Sequence, residues 1–258
     1  MSRSWDSLPW QLIHEAPQEA ALHMALDDVI TQEVSDGIRP PTLRIWEWSE
    51  PAVVIGRFQS LRNEIDPEGA ARHGINVVRR ISGGGAMFIE PGNGITYSLS
   101  VPSEFVAGMS FQESYEFLDS WVIQALRKLG IDAWYQPLND ITSSGGKIGG
   151  AAQARRGKAV LHHVTMAYDI DADKMLEVLR IGKEKLSDKG TTSAKKRVDP
   201  LRSQTGLSRD AVVQAMLDSF REQAPLLAPG VLGEDTLAKA RKAMETRFLT
   251  PEWIALVP

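Results

Sequence analysis

The sequence predicts one large α/β domain, and three observations predict it. Its 258 residues suffice for a domain of this size with a substantial buried core. Its composition is ordinary for a globular chain, with 43% hydrophobic and 24% charged residues. Segments that alternate apolar and polar residues, as strands do, are interspersed with segments of helical apolar spacing. We therefore expect residues 1–258 to form a single domain in which residues 226–258 are a C-terminal helical extension.

The charge and the cysteine count exclude several classes of protein. The formal net charge is −4, which gives no overall electrostatic support for binding nucleic acids or membranes. The N-terminus lacks the apolar core of a signal peptide, and no apolar run reaches transmembrane length, so we expect a cytoplasmic protein. The chain has no cysteine, which excludes disulfides, thiolate metal sites and a thioester intermediate on the protein.

The first part of the chain reads as a helix followed by two strands. Apolar spacing predicts a helix over residues 18–34, which a glycine and two prolines then end. Residues 42–48 alternate as a strand, and residues 51–55 are a short buried-strand candidate. We interpret His23, inside the helix, as a packed or surface histidine and not as a ligand.

The second half continues with strands and helices in alternation. Periodicity predicts strands over residues 94–101 and 159–170 and helices over residues 110–129, 171–180, 208–223 and 234–244. Ser110 and Glu113 form a capping box at the start of the first of these helices. His162 and His163 are adjacent on a strand and must point to opposite faces, so they cannot chelate one ion. One of them can face a site while the other packs, or neither takes part in chemistry.

The segment 79–86 is the first candidate binding element. Three consecutive glycines at 83–85 interrupt sequence that otherwise favours a strand. Glycine there costs stability unless something must approach the main chain closely. Arg79, Arg80 and Ser82 stand beside this bare backbone, which points to an anion, and our hypothesis is a phosphate-bearing substrate. A purely structural bend is the alternative.

A second cationic, glycine-rich segment surrounds Lys147. Small neighbours at 145–146 and 149–150 would let a ligand lie against the backbone while the ammonium group reaches a phosphate or carboxylate. The alternative is a solvated lysine in a flexible loop. Two such segments in one domain favour the binding interpretation. The basic segment 183–197 is either a solvated stretch or a loop that closes over a polyphosphate.

Together these segments resemble the lipoate–protein ligase family over residues 19–253. Residues 79–86 are similar to its RRxSGGGA signature, and residues 139–141 are similar to its ND motif. Residues 146–153 resemble its GKKI(S/G)GxA motif, and residues 193–198 resemble its SVxxRV loop. With the opening strand pair and the histidine strand, six such segments occur in order at plausible spacing.

The resemblance implies a mixed and antiparallel sheet flanked by helices, as in biotin ligases and the cores of class II aminoacyl-tRNA synthetases. It implies that lipoate attacks the α-phosphate of ATP, giving lipoyl-adenylate and pyrophosphate, and that a lysine of an acceptor domain then takes the acyl group. ATP, lipoate and Mg²⁺ are expected ligands. A lipoyl-acceptor domain is the expected partner. Because the chain resembles the split form of the ligases, a separate small accessory subunit is also expected, and adenylation by the chain alone should be weak.

The resemblance also assigns residues. Lys147 would touch both the carboxylate and the α-phosphate, and Arg80 would support the activated carboxylate. Asp140 would place the nucleotide or hold a Mg²⁺ ion. His163 is preferred over its neighbour because the family motif keeps its position. The residues expected to border the substrate and the adenylate are Ser82, Gly83, Gly84, Gly85, Ala86, Asn93, Asn139, Asp140, Gly149, Gly150, Ala151 and His163.

Two alternatives stay open. The first is a lipoyl- or octanoyl-transferase of the same superfamily, whose members use a cysteine nucleophile, in some just upstream of the position of Asn139. Residues 131–138 contain no cysteine, nor does the rest of the chain. The second is a non-catalytic protein that binds lipoate or a nucleotide, against which the retained Lys147 argues. The chain departs from the family at Ile89–Glu90, often His-Asp, and at Val164, usually glycine.

Overall fold

Strands and helices alternate along the residues that the structure, a computed structural model, describes, namely 4–180 and 198–258. The strands are β1 Gln11–His14, β2 Thr42–Trp46, β3 Ala52–Ile55, β4 Asn76–Arg79, β5 Met87–Ile89, β6 Gly94–Pro102, β7 Ala133–Gln136, β8 Asp140–Ser143, β9 Gly146–Arg156, β10 Ala159–Ala167 and β11 Ala228–Pro229. The helices are α1 Ala20–Ser35, α2 Leu61–Glu64, α3 Pro67–Arg72, α4 Phe111–Lys128, α5 Ala172–Val178, α6 Leu201–Thr205, α7 Arg209–Gln223, α8 Glu234–Ala243 and α9 Pro251–Ile254. The predicted basic segment 183–197 lies outside the described residues.

Two sheets position the site. The larger sheet has the strand order β11-β1-β2-β6-β10-β9-β8-β7, in which β1 runs parallel to β2 and β11 and the other neighbours are antiparallel. In the smaller sheet, β3 runs parallel to β4 and antiparallel to β5. The predicted mixed sheet flanked by helices is therefore confirmed.

Helices cover both faces of the larger sheet. On one face, Trp121 of α4 and Phe220 of α7 pack with Tyr97 of β6 in a fully buried cluster. On the other face, Leu26 of α1 packs with Trp46 of β2, and α8 packs against α1. Burying each of these large side chains stabilises the fold by about 2 kcal/mol. In residues 4–180 and 198–258, no helix combines the length and the apolarity needed to cross a membrane.

The glycine-rich segment around Lys147 forms part of strand β9, contrary to the alternative of a flexible loop. β10 pairs with one edge of β9, and β8 pairs with the other edge over Gly146–Gly150. A Cβ atom at Gly149 would lie 2.7 Å from both the carbonyl oxygen of Thr165 and Cγ of Met166. Glycine is therefore needed here for close strand packing, and local composition alone misrepresents the segment.

Candidate active site

The glycine triplet forms a loop between β4 and β5, and the buried side chain of Arg80 holds that loop closed. Arg80 Nη2 donates to the carbonyls of Gly83 at 2.6 Å and Gly85 at 2.8 Å. Its Nε donates to Ser82 Oγ and again to Gly83, and Nη1 donates to the carbonyl of Val54. Burial lowers the pKa of Arg80 to about 10, so the guanidinium stays charged at neutral pH. In this arrangement Arg80 builds the loop and keeps one Nη1 hydrogen for another acceptor.

The loop presents its backbone outward. Gly84 has a φ of +91°, which glycine adopts without strain, and a Cβ at Gly56 would lie only 2.1 Å from the carbonyl oxygen of Gly84. Gly84 and Gly85 are exposed, and within the described chain no hydrogen bond uses their amide groups. Ala86 instead packs against the core of the smaller sheet. Two free N–H groups on an exposed turn are suited to an anion.

A buried chain of hydrogen bonds anchors the loop to α1. Ser82 Oγ lies 2.6 Å from His163 Nε2, His163 Nδ1 lies 2.7 Å from Asp27 Oδ2, and Asp27 Oδ1 accepts from Arg44 Nη2 at 2.7 Å. Burial lowers the pKa of His163, which makes the neutral ring the form at pH 7. Burial alone would raise the pKa of Asp27, but Arg44 and His163 outweigh it and the net shift is downward. We therefore assign the Nδ1 proton to the bond with Asp27, so that the Ser82 hydroxyl donates to Nε2.

The two adjacent histidines point to opposite faces of the sheet, as predicted. His162 Nε2 meets Asp119 of α4 at 2.6 Å inside the core. His163 faces α1 and lies opposite Ala152 in the register of β9 and β10. A Cβ at Gly84 would lie 3.9 Å from the Cβ of Ala152. The glycine loop thus lies over the same face of the sheet as the side chains of His163 and Ala152.

Lys147 lies farther along the same strand and forms an ion pair with Asp140. Its Nζ is 2.7 Å from Asp140 Oδ1, and both side chains are partly exposed, 43% for the lysine and 33% for the aspartate. A Cβ at Gly150 would lie 3.2 Å from that Nζ, so the ammonium group stands directly over bare backbone. Gly150 and Ala152 share a face and lie about 7 Å apart. The ammonium group and the exposed loop amides therefore border one region of β9.

The other predicted residues take different positions. Asn139 is joined to Ala151 by its side chain and by its carbonyl oxygen, and so fixes β8 to β9. Gly149 and Ala151 alternate with Gly150 and approach the opposite face, toward α4. The side chain of Asn93 closes a turn onto Glu90. These residues shape the strands around the site more than they offer side chains to a ligand.

Asp140 was the candidate metal ligand. Within residues 4–180 and 198–258, no group of three or more histidine, cysteine or acidic side chains could hold a metal ion. Asp140 offers one carboxylate, which Lys147 already contacts. One carboxylate suits Mg²⁺ when nucleotide phosphates and water complete the coordination shell, which is how this ion is commonly held.

Two charged residues with clear roles were not assigned from the sequence, and a third, Arg79, was expected beside an anion but contacts protein carbonyls instead. Asp27 and Arg44 belong to the buried chain of hydrogen bonds described above. The sequence feature that could have indicated this role is Asp27, an acidic residue among the apolar residues of α1. Arg79 is fully buried and donates to six carbonyl groups on two segments, those of Gly56, Arg57, Gln59, Trp253, Ile254 and Val257. It ties the segment after β3 to the C-terminal segment behind the loop.

Comparison with known proteins identifies the family of the chain. The family model described as "Lipoyl protein ligase A/B catalytic domain" matches residues 19–221. The chain is 30% identical over 275 residues to a protein named octanoyltransferase LipM from Kyrpidia tusciae, covering 95% of this chain and 97% of that protein.

Two solved structures share the fold closely. One is the bi-partite lipoate protein ligase of Thermoplasma acidophilum, described together with its E2 lipoyl domain, with a TM-score of 0.84, 29% identity and 96% coverage of both chains. The other is a lipoate-protein ligase A bound with ATP, with a TM-score of 0.82, 26% identity, and coverage of 96% of this chain and 98% of that one.

Proposed function

Because the chain belongs to the lipoyl protein ligase A/B catalytic-domain family, we propose that it activates lipoate with ATP and joins it to a lysine of an acceptor domain. The proposal rests on one observation, namely that the site contains Lys147 while the chain contains no cysteine. Lys147 stands over bare backbone at Gly150, and none of the 258 residues is a cysteine. With no thiol to hold the acyl group as a thioester, activation by a nucleotide is the direct route to an acyl donor.

In the first step, a carboxylate oxygen of lipoate attacks the α-phosphorus of ATP. The new bond joins that oxygen to phosphorus, the bond to the bridging oxygen breaks, and pyrophosphate leaves with the electron pair. Two anions must meet, so fixed positive charge and N–H donors at the phosphorus lower the barrier. Lys147 supplies the charge, and the amides of Gly84 and Gly85 supply the donors. Arg80 acts mainly by holding those amides in place.

In the second step, the acceptor lysine attacks the acyl carbonyl. The amide bond forms, the bond from carbonyl carbon to phosphate oxygen breaks, AMP leaves, and the amine loses a proton to solvent. His163 is hydrogen-bonded at both ring nitrogens, so we assign it to positioning Ser82. Asp140 keeps Lys147 in place, and if Mg²⁺ accompanies the nucleotide, Asp140 would supply one ligand.

The structural relative supports the proposed partners. The Thermoplasma ligase is described as bi-partite and is described with an E2 lipoyl domain. By analogy we propose that this chain acts on a lipoyl-acceptor domain and works with a separate accessory subunit. We also propose that the whole chain forms one catalytic domain, with 226–258 as its extension.

An acyltransferase is the second candidate, and two observations favour it. Seven relatives, at 25–30% identity, are named as octanoyltransferases. In addition, Asp27, His163 and Ser82 stand in the order of a carboxylate, histidine and hydroxyl triad. Ser82 could attack an acyl thioester, passing its proton to His163, with the ester forming as the thiolate leaves. Ser82 is, however, 1% exposed, and its oxygen also accepts from Arg80, which places this candidate second.

Intact-mass analysis of an acceptor domain separates the candidates. The chain is incubated with apo acceptor, with and without the accessory subunit, and with either ATP plus lipoate or an octanoyl thioester without ATP. We expect acylation that requires ATP. Acylation from the thioester alone, with an acyl ester on Ser82, would establish the transferase. No acylation in any arm would favour a non-catalytic binding protein.

A further inference from the structure

Four arginines are among the residues that line a cleft next to the glycine loop. We call it the arginine cleft, and it is lined by Asp28, Arg57, Ile81, Ala154, Arg155, Arg156 and Arg247. These residues include four guanidinium groups and one carboxylate, which leaves three positive charges without a counter-charge in the lining. The chain as a whole has a net charge of −4, so the charge of this surface is opposite in sign to that of the whole chain.

The single carboxylate is already shared. Asp28 lies 2.9 Å from Arg156 Nε and 3.0 Å from Arg247 Nη1, so both of its oxygens are in ion pairs. Burial lowers the pKa of Arg247, the charge of Asp28 opposes that shift, and the nearby charges of Arg156 and Arg57 add to the lowering. The guanidinium groups therefore repel one another, and an added anion would relieve that repulsion.

The other two arginines lie beside aromatic side chains. Across residues 4–180 and 198–258, neither Arg57 nor Arg155 has an acidic partner. Arg57 lies over the ring of buried Trp253 at 5.5 Å and over the ring of Phe58 at 5.9 Å, and Arg155 lies over the ring of Phe111 at 5.7 Å. Phe58 is 75% exposed and Phe111 is 69% exposed. Arg155 is exposed and Arg57 is half-buried. Arginine beside exposed aromatic side chains is the composition of a protein–protein interface, which favours a protein over a small anion as the ligand.

The cleft lies close enough to the site for one partner to cover both. The amide of Arg57 donates to the carbonyl of Ser82 at 2.8 Å, so the cleft adjoins the loop directly. Ala154 is four residues from Gly150 on the same face of β9, about 13 Å along the strand. An interface of ordinary size covers about 800 Å² of each partner and easily spans that distance.

We propose that the arginine cleft docks acidic side chains of the acceptor domain, beside the point where its lysine is acylated. This inference rests on the proposed function, because it names where that function's protein substrate binds. Charges at the rim of an interface steer encounter and set its salt dependence. Binding of the acceptor should therefore weaken as ionic strength rises, while the small substrates bind elsewhere on β9.

Calorimetric titration tests the proposal without requiring turnover. The probe is an apo lipoyl-acceptor domain whose target lysine has been replaced by arginine, titrated into the chain at low and high salt. Arg155→Glu reverses one exposed charge of the cleft, and Arg155→Lys keeps that charge. Arg221→Glu makes the same reversal on α7, where Arg221 forms an ion pair with Asp218.

We expect Arg155→Glu to weaken binding roughly tenfold at low salt and to flatten its salt dependence. Arg155→Lys should retain most of the affinity, and Arg221→Glu should bind as the unmodified chain does. Unchanged binding by Arg155→Glu, equal weakening by Arg221→Glu, or no binding of the acceptor by the unmodified chain would each overturn the proposal. Pyrophosphate release from ATP and lipoate, measured on the same samples, reports separately on the proposed function.

Discussion

Replacing Gly150 with alanine tests whether catalysis depends on the present position of Lys147. The new Cβ would lie 3.2 Å from Lys147 Nζ and 3.5 Å from Asp140 Oδ1. The contact with Lys147 Nζ is too short for a Cβ atom. Because Nζ is the end of a flexible side chain, we expect the lysine to move by a few tenths of an ångström while the strand backbone stays in place. Since a displacement of about 1 Å can cost on the order of a hundredfold in rate, a shift of a few tenths of an ångström should lower kcat roughly fourfold.

The assay is ATP- and lipoate-dependent acylation of an acceptor domain, measured beside thermal unfolding. We expect Gly150→Ala to change stability by less than about 1 kcal/mol, as at a site without severe overlap. Gly149→Ala is the matched control, because its Cβ would meet the backbone oxygen of Thr165 at 2.7 Å. That variant should lose about 1–3 kcal/mol of stability through overpacking. A Gly150→Ala enzyme with unchanged kcat would refute the placement of Lys147 at the reacting phosphate.

Three further predictions concern the buried polar groups. Burial lowers the pKa of His23 to about 3, whereas the ring in the unfolded chain titrates near 6.5. The folded state therefore binds fewer protons, and the free energy of unfolding falls by about 2 kcal/mol between pH 7 and pH 5. His23→Gln should remove that part of the slope in unfolding measured against pH, and an unchanged slope would contradict the assignment. Arg79→Ala should cost about 3–5 kcal/mol in denaturant unfolding, because six buried carbonyls lose their donor; a loss below about 1 kcal/mol would argue against the clamp. Asp27→Asn should cost about 3 kcal/mol because it leaves the charge of Arg44 buried and unpaired, and the added change Arg44→Met should recover part of that loss; no recovery would count against the ion pair as the cause.

Much of the fold follows from local sequence signals. The capping box at Ser110 and Glu113 is present at the start of α4. Strand alternation correctly separated His162 from His163. Such features depend on neighbours a few residues away, which periodicity and cap chemistry record.

The site was harder to predict, because its contacts join distant parts of the chain. His163 and Asp27 are 136 residues apart, and no local pattern specifies their pairing. Arg80 was expected to face the substrate, but four of its five N–H groups face Ser82, Val54 and the carbonyls of its own loop. The glycines of β9 favour a loop by composition, and only pairing with β8 and β10 makes them a strand.

The central claim is that Lys147 neutralises charge during adenylate formation. Lipoate-dependent exchange of labelled pyrophosphate into ATP measures that step without the acceptor, and it can be run with and without the accessory subunit. Losing one preorganised donor of this kind costs about 3–4 kcal/mol, so Lys147→Ala should exchange a few hundredfold more slowly than the unmodified chain. Exchange by Lys147→Ala at the unmodified rate would contradict the account.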